Sequence, residues 1–274
     1  MSARDGSRGV AAPSALFWVT AAALSLLATA IFHLAPNVPF GIPFDERIKV
    51  AFVLSGTQNF QHPILMLDLA RLANLLLGAT DQESVARLGR ALAACSGGLF
   101  VFATIALARR AMGDAGALGA GILTAIAPLT VLHAQLFKED IFLAPWLMFG
   151  ILALDRLIEK PGLRHAFIFG ITAGLAASAK YVGAVLLPLA LLPPLHAGSS
   201  LPRHYRLIGV AALTASLVFC LLNLPIFAAP EVFAGGLGSE MDHALTGHLI
   251  VLSAWDSRFV FTWTANLWPG LGAP

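Results

Sequence analysis

Apolar segments long enough to cross a membrane recur along this chain, and they limit its fold more than any other feature. Each approaches the roughly 20 residues that a helix needs to span a hydrocarbon core. Because 58% of the residues are hydrophobic and only 12% are charged, a single soluble core cannot hold these segments. We therefore predict an all-α, polytopic bundle of transmembrane helices, whose clearest segments are Ala15–Leu34, Ala91–Ala108, Ala115–Leu136, Ile141–Leu157 and Leu207–Phe227.

A further apolar stretch, His165–His196, is too long for one crossing. As a single straight helix it would measure roughly 46 Å, against a hydrocarbon core of about 30 Å. Lys180 stands near its middle, so we predict a hairpin of two short helices with Lys180 near the turn, and about seven spans in all. With a cytoplasmic N-terminus, this topology keeps the short basic loops on the cytoplasmic side; they hold Arg109, Arg110, Arg156, Lys160, Arg164, Arg203 and Arg206.

The N-terminal segment has two interpretations. Arg4 and Arg8 precede the first apolar run, and Ala28-Thr29-Ala30 resembles a signal-peptidase site. An uncleaved helix is favoured, because the run is long for a signal peptide and further spans follow it. The predicted organisation is a cytoplasmic tail at 1–14, a transmembrane module at 15–227 that includes an outer loop at 35–90, and an outer-face loop at 228–274.

The outer loop at 35–90 is expected to carry interfacial helices. Ile64–Leu77 is apolar but is interrupted by Asp68, Arg71 and Asn74 at a spacing of three. This pattern is typical of a helix that lies in the membrane interface. Thr80–Glu83 then predicts a capping box that opens the second span.

Two acidic motifs are the main candidates for chemistry. Asp45-Glu46, just outside the first span, suits a general base at the outer membrane surface, or simply carboxylates that favour a helix N-terminus. Glu139-Asp140 follows a very short loop on the same side, where ordinary helix capping is the alternative. Because both motifs occupy the outer face of one bundle, we expect them to lie close together.

Other polar residues are candidates for substrate contacts. Lys180 is costly in an apolar stretch unless it reaches water, an anion or a carboxylate. It would act either as a counter-charge for a lipid phosphate or as a lysine that snorkels to the interface. His62, before Pro63, is a second polar element of the outer loop or merely its end. Arg258 in the C-terminal segment would contact phosphate or be solvated.

The sequence predicts no metal site and no nucleic-acid partner. His243 and His248 with a neighbouring acid are a weak zinc signal, because their spacing is five residues and no cysteine accompanies them. The formal charge of +2 comes without a basic run or a cluster of stacking aromatics. The partners are therefore expected to be membrane lipids and the substrates.

The order of these motifs resembles the N-terminal half of the GT-C glycosyltransferases, in particular glycosyltransferase family 39 and the related aminoarabinose transferases. The resemblance covers the chain from residue 15 onward. The matching stretches are Phe44-Asp45-Glu46-Arg47, His62-Pro63, Arg87–Leu92, Arg109–Gly113, Leu132-His133-Ala134, Glu139-Asp140, Gly174–Ala177, Lys180-Tyr181, Glu240, His243 and Gly247-His248.

The resemblance implies an enzyme that uses a polyprenyl- or dolichyl-phosphate sugar donor at the periplasmic face of a bacterial inner membrane. The acceptor would be a lipid, a glycan or a protein. By position, Asp45 would be the general base, Glu46 its companion, and Glu139 with Asp140 the second acidic motif. The predicted contacts to donor phosphate or substrate are Lys180, His62, Arg258, His243 and His248.

The chemistry fits these assignments. A phosphate leaves readily, so one carboxylate that deprotonates the acceptor hydroxyl is sufficient, with inversion at the anomeric carbon. Cationic side chains would stabilise the charge that builds on the departing phosphate. A divalent cation assists some members of the superfamily and is left open as a cofactor here, although no ligand cluster requires one.

Two departures and one alternative accompany this prediction. Ile64 follows Pro63 where relatives often have a second proline, and the sequence stops before the C-terminal helices that usually help to form the donor groove. A missing C-terminal half is therefore an expected partner. The alternative is a non-catalytic membrane protein that binds or translocates polyprenyl-linked glycans and needs no base. A solute transporter is less favoured, because inverted repeats are not evident.

Overall fold

The computed structural model describes residues 13–34, 44–192 and 201–246. Within these ranges the chain forms helices joined by loops, without β-strands. The helices are α1 (Ala15–Leu34), α2 (Phe44–Ser55), α3 (Leu65–Leu77), α4 (Gln82–Ile126), α5 (Pro128–Ala134), α6 (Glu139–Glu159), α7 (Leu163–Ala179), a 3₁₀ turn (Tyr181–Val185), α8 (Leu186–Leu189), α9 (Leu201–Leu222), α10 (Pro225–Ala228) and α11 (Pro230–Thr246).

Helix α4 consists of two antiparallel arms. Gly113 lies between them with φ +69°, a left-handed conformation that glycine adopts without steric cost. Gly121 in the second arm packs directly against Ile105 in the first, which a straight helix would hold about 24 Å away. The predicted spans at 91–108 and 115–136 are therefore separate segments that meet at a tight reversal. The first arm begins at Gln82 and is capped by Asp81, whose side chain accepts a hydrogen bond from Ser84 N at 2.9 Å. The cap therefore lies one residue later than in the predicted capping box, which started at Thr80.

The chain is a multi-pass membrane protein. In the described ranges four helices are long and apolar enough to span a membrane, namely Ala15–Leu34, Gln82–Ile126, Glu139–Glu159 and His204–Leu222. Helix α7 is apolar but has only 17 residues. The predicted number of seven spans is not confirmed, because the segment that follows α7 contains only short helical turns in its described part, 181–192.

The chain reverses at Lys180. This residue has extended backbone angles and ends α7, and Gly183 then packs against the backbone of Ala176. Gly170 faces Ala211 of α9, and Gly174, one turn later, faces Ala215. The residue numbers of the contacting pairs increase together along the two helices, so α7 and α9 run parallel. The described segment after Lys180 turns back along α7, which agrees with the predicted turn near this residue, whereas the end of the predicted hairpin at 193–196 lies outside the described residues.

The two interfacial helices pack beside one end of the bundle. Arg71 of α3 donates to Asp68 Oδ1 at 3.0 Å and to the Phe52 carbonyl of α2 at 3.1 Å. Leu72, Leu75 and Leu76 of the same helix are 59%, 81% and 83% exposed. An exposed apolar surface on a helix whose polar side chains hold the adjoining loop suits a helix lying at the lipid surface.

Candidate functional site

A cavity of about 250 Å³ opens at the end of the bundle where α6 begins and α7 ends. Both predicted acidic motifs contribute to it, together with Lys180 and His62. Its charged lining comprises four carboxylates (Asp45, Glu139, Asp140 and Glu240), three lysines (Lys49, Lys138 and Lys180) and His62. The structure thus brings together residues from α2, the α2–α3 loop, the α5–α6 loop, α6, the end of α7 and α11.

Helix starts explain why the carboxylates gather here. Asp45 lies in the first turn of α2, and Glu139 and Asp140 lie in the first turn of α6. Carboxylates are favoured at these positions because unpaired backbone N–H groups give a helix N-terminus a partial positive charge. Lys49 follows Asp45 by four residues on α2, so both side chains share one face of that helix.

Asp45 is the most accessible carboxylate that pairs with a lysine in this cavity. Its Oδ2 lies 2.7 Å from Lys138 Nζ, while its side chain remains 55% exposed. The hydrogen bond from Lys138 lowers the pKa of Asp45, with a smaller contribution from the charge of Lys49. Burial would lower the pKa of Lys138, but the hydrogen bond and charge of Asp45 raise it above its usual range. Asp45 is therefore ionised at neutral pH and open to a ligand.

Glu46 faces away from the cavity and has no exposed surface. Arg90 of α4 binds it in a bidentate manner, with Nε 2.8 Å from Oε1 and Nη2 2.6 Å from Oε2. The backbone N–H of Phe137 also donates to Oε1, at 3.3 Å. This set of bonds fixes α2 to α4 and to the chain just before Lys138. Glu46 thus neighbours Asp45 in sequence but contacts the protein interior.

Glu139 is at the centre of a buried ionic group. Its side chain is 3% exposed and forms an ion pair with Lys49, which is 9% exposed. His62 Nε2 lies 4.0 Å from Glu139 Oε2 and 3.9 Å from Glu240 Oε1, so it bridges α6 and α11. Burial lowers the pKa of His62, although the charge of Glu139 opposes the shift. The imidazole is therefore neutral at pH 7.

Asp140 and Lys180 form the third ion pair of the cavity. Lys180 Nζ donates to Asp140 Oδ1 at 2.7 Å, and His133 Nδ1 lies 3.8 Å from the other carboxylate oxygen. Lys180 is 29% exposed, so its ammonium group is accessible from the cavity. Lys180 is therefore paired with a carboxylate and lines a polar cavity.

A left-handed turn at Phe60 shapes the wall of the site. Phe60 has φ +53°, which is uncommon for a residue other than glycine. Tyr181 Oη donates to its carbonyl oxygen at 2.8 Å, which ties the loop to the chain just after Lys180. Asn223 Oδ1 accepts from Ile64 N at 3.0 Å, and Gly236 of α11 packs against the Phe60 backbone. These contacts position His62 between α6 and α11.

Several predicted site residues lie beyond what the structure describes. Arg258 and His248 are outside the described residues, and His243 is within α11 but its side chain is not described. Their predicted substrate contacts stay predictions. Among the described residues, no group of three or more His, Cys, Asp or Glu side chains is arranged to hold a metal ion.

Sequence reasoning missed three residues that the site depends on: Lys49, Lys138 and Arg90. A signal for Lys49 exists, since its spacing of four from Asp45 places both on one helix face. Lys138 directly precedes the second acidic motif, and a positive charge beside two carboxylates is a sequence signal for an ion pair. The pairing of Arg90 with Glu46 depends on how α2 and α4 pack and has no local signal.

Comparison with known families supports this architecture. A family model described as dolichyl-phosphate-mannose-protein mannosyltransferase matches residues 61–227, which is more than half of the chain. No curated protein sequence matches the chain significantly.

Three solved structures share the fold at low sequence identity. The S. cerevisiae protein O-mannosyltransferase Pmt1-Pmt2 complex bound to the sugar donor has a TM-score of 0.61 and 17% identity, over 82% of this chain and 35% of that chain. The Archaeoglobus fulgidus oligosaccharyltransferase tethered with an acceptor peptide has a TM-score of 0.57 and 15% identity, over 94% and 38%.

The third is the archaeal oligosaccharyltransferase AglB from Archaeoglobus fulgidus in complex with an inhibitory peptide and a dolichol-phosphate. It has a TM-score of 0.54 and 18% identity, over 93% of this chain and 35% of that chain. The chain therefore spans little more than a third of the length of the structures it matches. The GT-C fold predicted from the sequence is confirmed, and the chain belongs to the dolichyl-phosphate-mannose-protein mannosyltransferase family.

Proposed function

We propose that this protein transfers a sugar from a polyprenyl- or dolichyl-phosphate-linked donor to an acceptor hydroxyl, with the cavity at Asp45 as the active site. The observation that carries the proposal is the meeting of the two acidic motifs, Asp45 and Glu139-Asp140, around one cavity at the end of a GT-C-fold bundle. Similar structures contain a sugar donor or a dolichol-phosphate, which supports a donor of this class.

Asp45 is the proposed general base. It is ionised because of Lys138, and about half of its side chain is exposed. Its carboxylate would take the proton of the acceptor hydroxyl while the hydroxyl oxygen attacks the anomeric carbon from the face opposite the phosphate. The bond between the anomeric carbon and the phosphate oxygen breaks, the electron pair stays on the phosphate, and the sugar configuration inverts.

Lys180 and Lys138 are the proposed stabilisers of the phosphate. Both ammonium groups line the cavity, and each holds one carboxylate at 2.7 Å. A phosphate that enters between them would accept hydrogen bonds from amines that are already positioned. Preorganised charge of this kind stabilises a leaving group without reorganisation during the reaction.

The proposed location is the periplasmic side of a bacterial inner membrane, with the N-terminus in the cytoplasm. The basic residues Arg109, Arg110, Arg156, Lys160 and Arg164 lie at the end of the bundle opposite the cavity. The positive-inside rule favours that end as the cytoplasmic one, which places the cavity outside.

The test is a transfer assay on membranes that contain the full protein and a polyprenyl-phosphate-linked sugar. Asp45→Asn keeps the shape of the side chain but removes its basicity, so transfer should fall by about 10²–10⁴-fold while donor binding remains. Asp68→Asn is the matched control, because Asp68 is a half-exposed aspartate paired with Arg71 outside the cavity. Undiminished transfer by Asp45→Asn would remove Asp45 from the role of base. Donor binding without transfer by the unaltered protein would favour a non-catalytic protein that binds polyprenyl-linked glycans.

A further inference from the structure

A second and larger cavity, of about 470 Å³, lies at the opposite end of the bundle. It is formed where α1 begins, the first arm of α4 ends, α6 ends and α7 begins. Its inner wall is mostly apolar, with Trp18 on one side and Phe149 on another. Its rim carries Arg109, Arg110 and Arg156. A cavity with an apolar wall and a cationic rim complements an amphiphile with an anionic headgroup.

From this geometry we infer a binding site for a phospholipid with an anionic headgroup, distinct from the proposed active site. The acyl chains lie against Trp18 and the apolar wall, and the phosphate meets the arginine side chains at the rim. Guanidinium groups are suited to phosphate because they present several donors in one plane and are weakly hydrated.

Arg156 is the rim residue best placed to bind the headgroup. Arg110 already donates to Asp155 at 2.7 Å and pairs with Glu159 as well. Arg156 shares Glu159 with Arg110 at 3.6 Å, too far for a hydrogen bond, and its side chain is 47% exposed. Its guanidinium therefore keeps donors for an incoming phosphate.

The charge of this end of the bundle favours an anion. Besides the rim arginines, Lys160, Arg164 and Arg206 lie at the same helix ends, and all three are exposed. The described acidic residues here are Asp114, Asp155 and Glu159, so the basic side chains outnumber them by six to three. Basic pockets between membrane helices on the cytoplasmic side are suited to anionic lipid headgroups.

The test measures lipid binding to the delipidated full protein by native mass spectrometry. Dioleoylphosphatidylglycerol should bind more tightly than dioleoylphosphatidylcholine, and Arg156→Gln should weaken the former by about fivefold, as expected for the loss of one basic contact near the membrane surface. Arg87→Gln is the matched control, since Arg87 is an exposed arginine at the other end of the bundle.

A second variant changes the shape of the cavity and leaves its charged residues in place. Ala106→Phe fills the cavity from its apolar wall and should displace the lipid, while Arg109 and Arg156 remain. Inorganic phosphate at the same concentration should not compete, because it lacks acyl chains. Equal affinity for the two lipids, equal effects of Arg156→Gln and Arg87→Gln, or full competition by phosphate would each overturn the inference. Failure of the transfer assay leaves it unaffected, because lipid binding at this end is measured without the sugar donor.

Discussion

Lys180 and Asp140 join the end of α7 to the start of α6, with Nζ and Oδ1 2.7 Å apart. The lysine ends one helix and the aspartate lies in the first turn of another, so the pair closes one side of the proposed active site. Both side chains are about one-third exposed. The pair is therefore accessible from the cavity, as the proposed binding of a phosphate to Lys180 requires.

Replacing Lys180 tests whether that ammonium group stabilises the leaving phosphate. Lys180→Met should lower sugar transfer by about 10²-fold, because one preorganised electrostatic partner is lost. Lys180→Arg should restore part of the rate, since it keeps the charge. Lys160→Met, an exposed lysine at the opposite end of the bundle, should leave transfer unchanged. Full activity of Lys180→Met in the same transfer assay would exclude this role.

Glu46 and Arg90 allow a stability prediction with an internal control. Glu46→Gln removes the carboxylate that binds Arg90, whose side chain is only 13% exposed, so the free energy of unfolding should fall by about 3–5 kcal/mol, as is typical when a buried ion pair is broken. Glu83→Gln breaks a similar pair with Arg87, but both side chains are more than 60% exposed, and its cost should stay within about 0.5 kcal/mol. Thermal unfolding in detergent measures both. Equal losses would show that the buried pair does not fix α2 to α4.

The membrane architecture was largely predictable, because each span depends on a local apolar run. The turn near Lys180 followed from the length of one stretch and from the position of a single charge. The meeting of Asp45 with Glu139-Asp140 followed from topology alone, since both motifs lie at the same end of the bundle.

The pairings inside the site were not predictable. Lys49 contacts Glu139 and Glu46 contacts Arg90 across long sequence separations, so both depend on how the helices are rotated against one another. The same rotation of the helices decides that Asp45 faces the cavity whereas its neighbour Glu46 faces the interior. The left-handed turn at Phe60 had no glycine to indicate it.

The pH dependence of transfer should reveal the Asp45–Lys138 pair. The hydrogen bond from Lys138 lowers the pKa of Asp45, so the base stays ionised until the pH falls below its usual range. Lys138→Met removes that bond and charge, and the acidic limb of the pH–rate profile should move to higher pH. Lys160→Met should not move it. An unchanged acidic limb in Lys138→Met would indicate that another group limits the rate at low pH.

His62 predicts a loss of stability in mild acid. Burial lowers the pKa of His62 in the folded protein below the ordinary value of 6.5, so the unfolded chain takes up a proton first as the pH falls. The contribution to stability is complete above 6.5 and decreases as the pH falls toward the folded-state pKa, by about 1.4 kcal/mol for each unit of lowering. His62→Gln should reduce the difference between the melting temperatures at pH 7.5 and at pH 5.5. His165→Gln is the control, because His165 lies at the other end of the bundle, and this variant should show the same difference as the unaltered protein. A difference that persists in His62→Gln would assign the acid sensitivity to other groups.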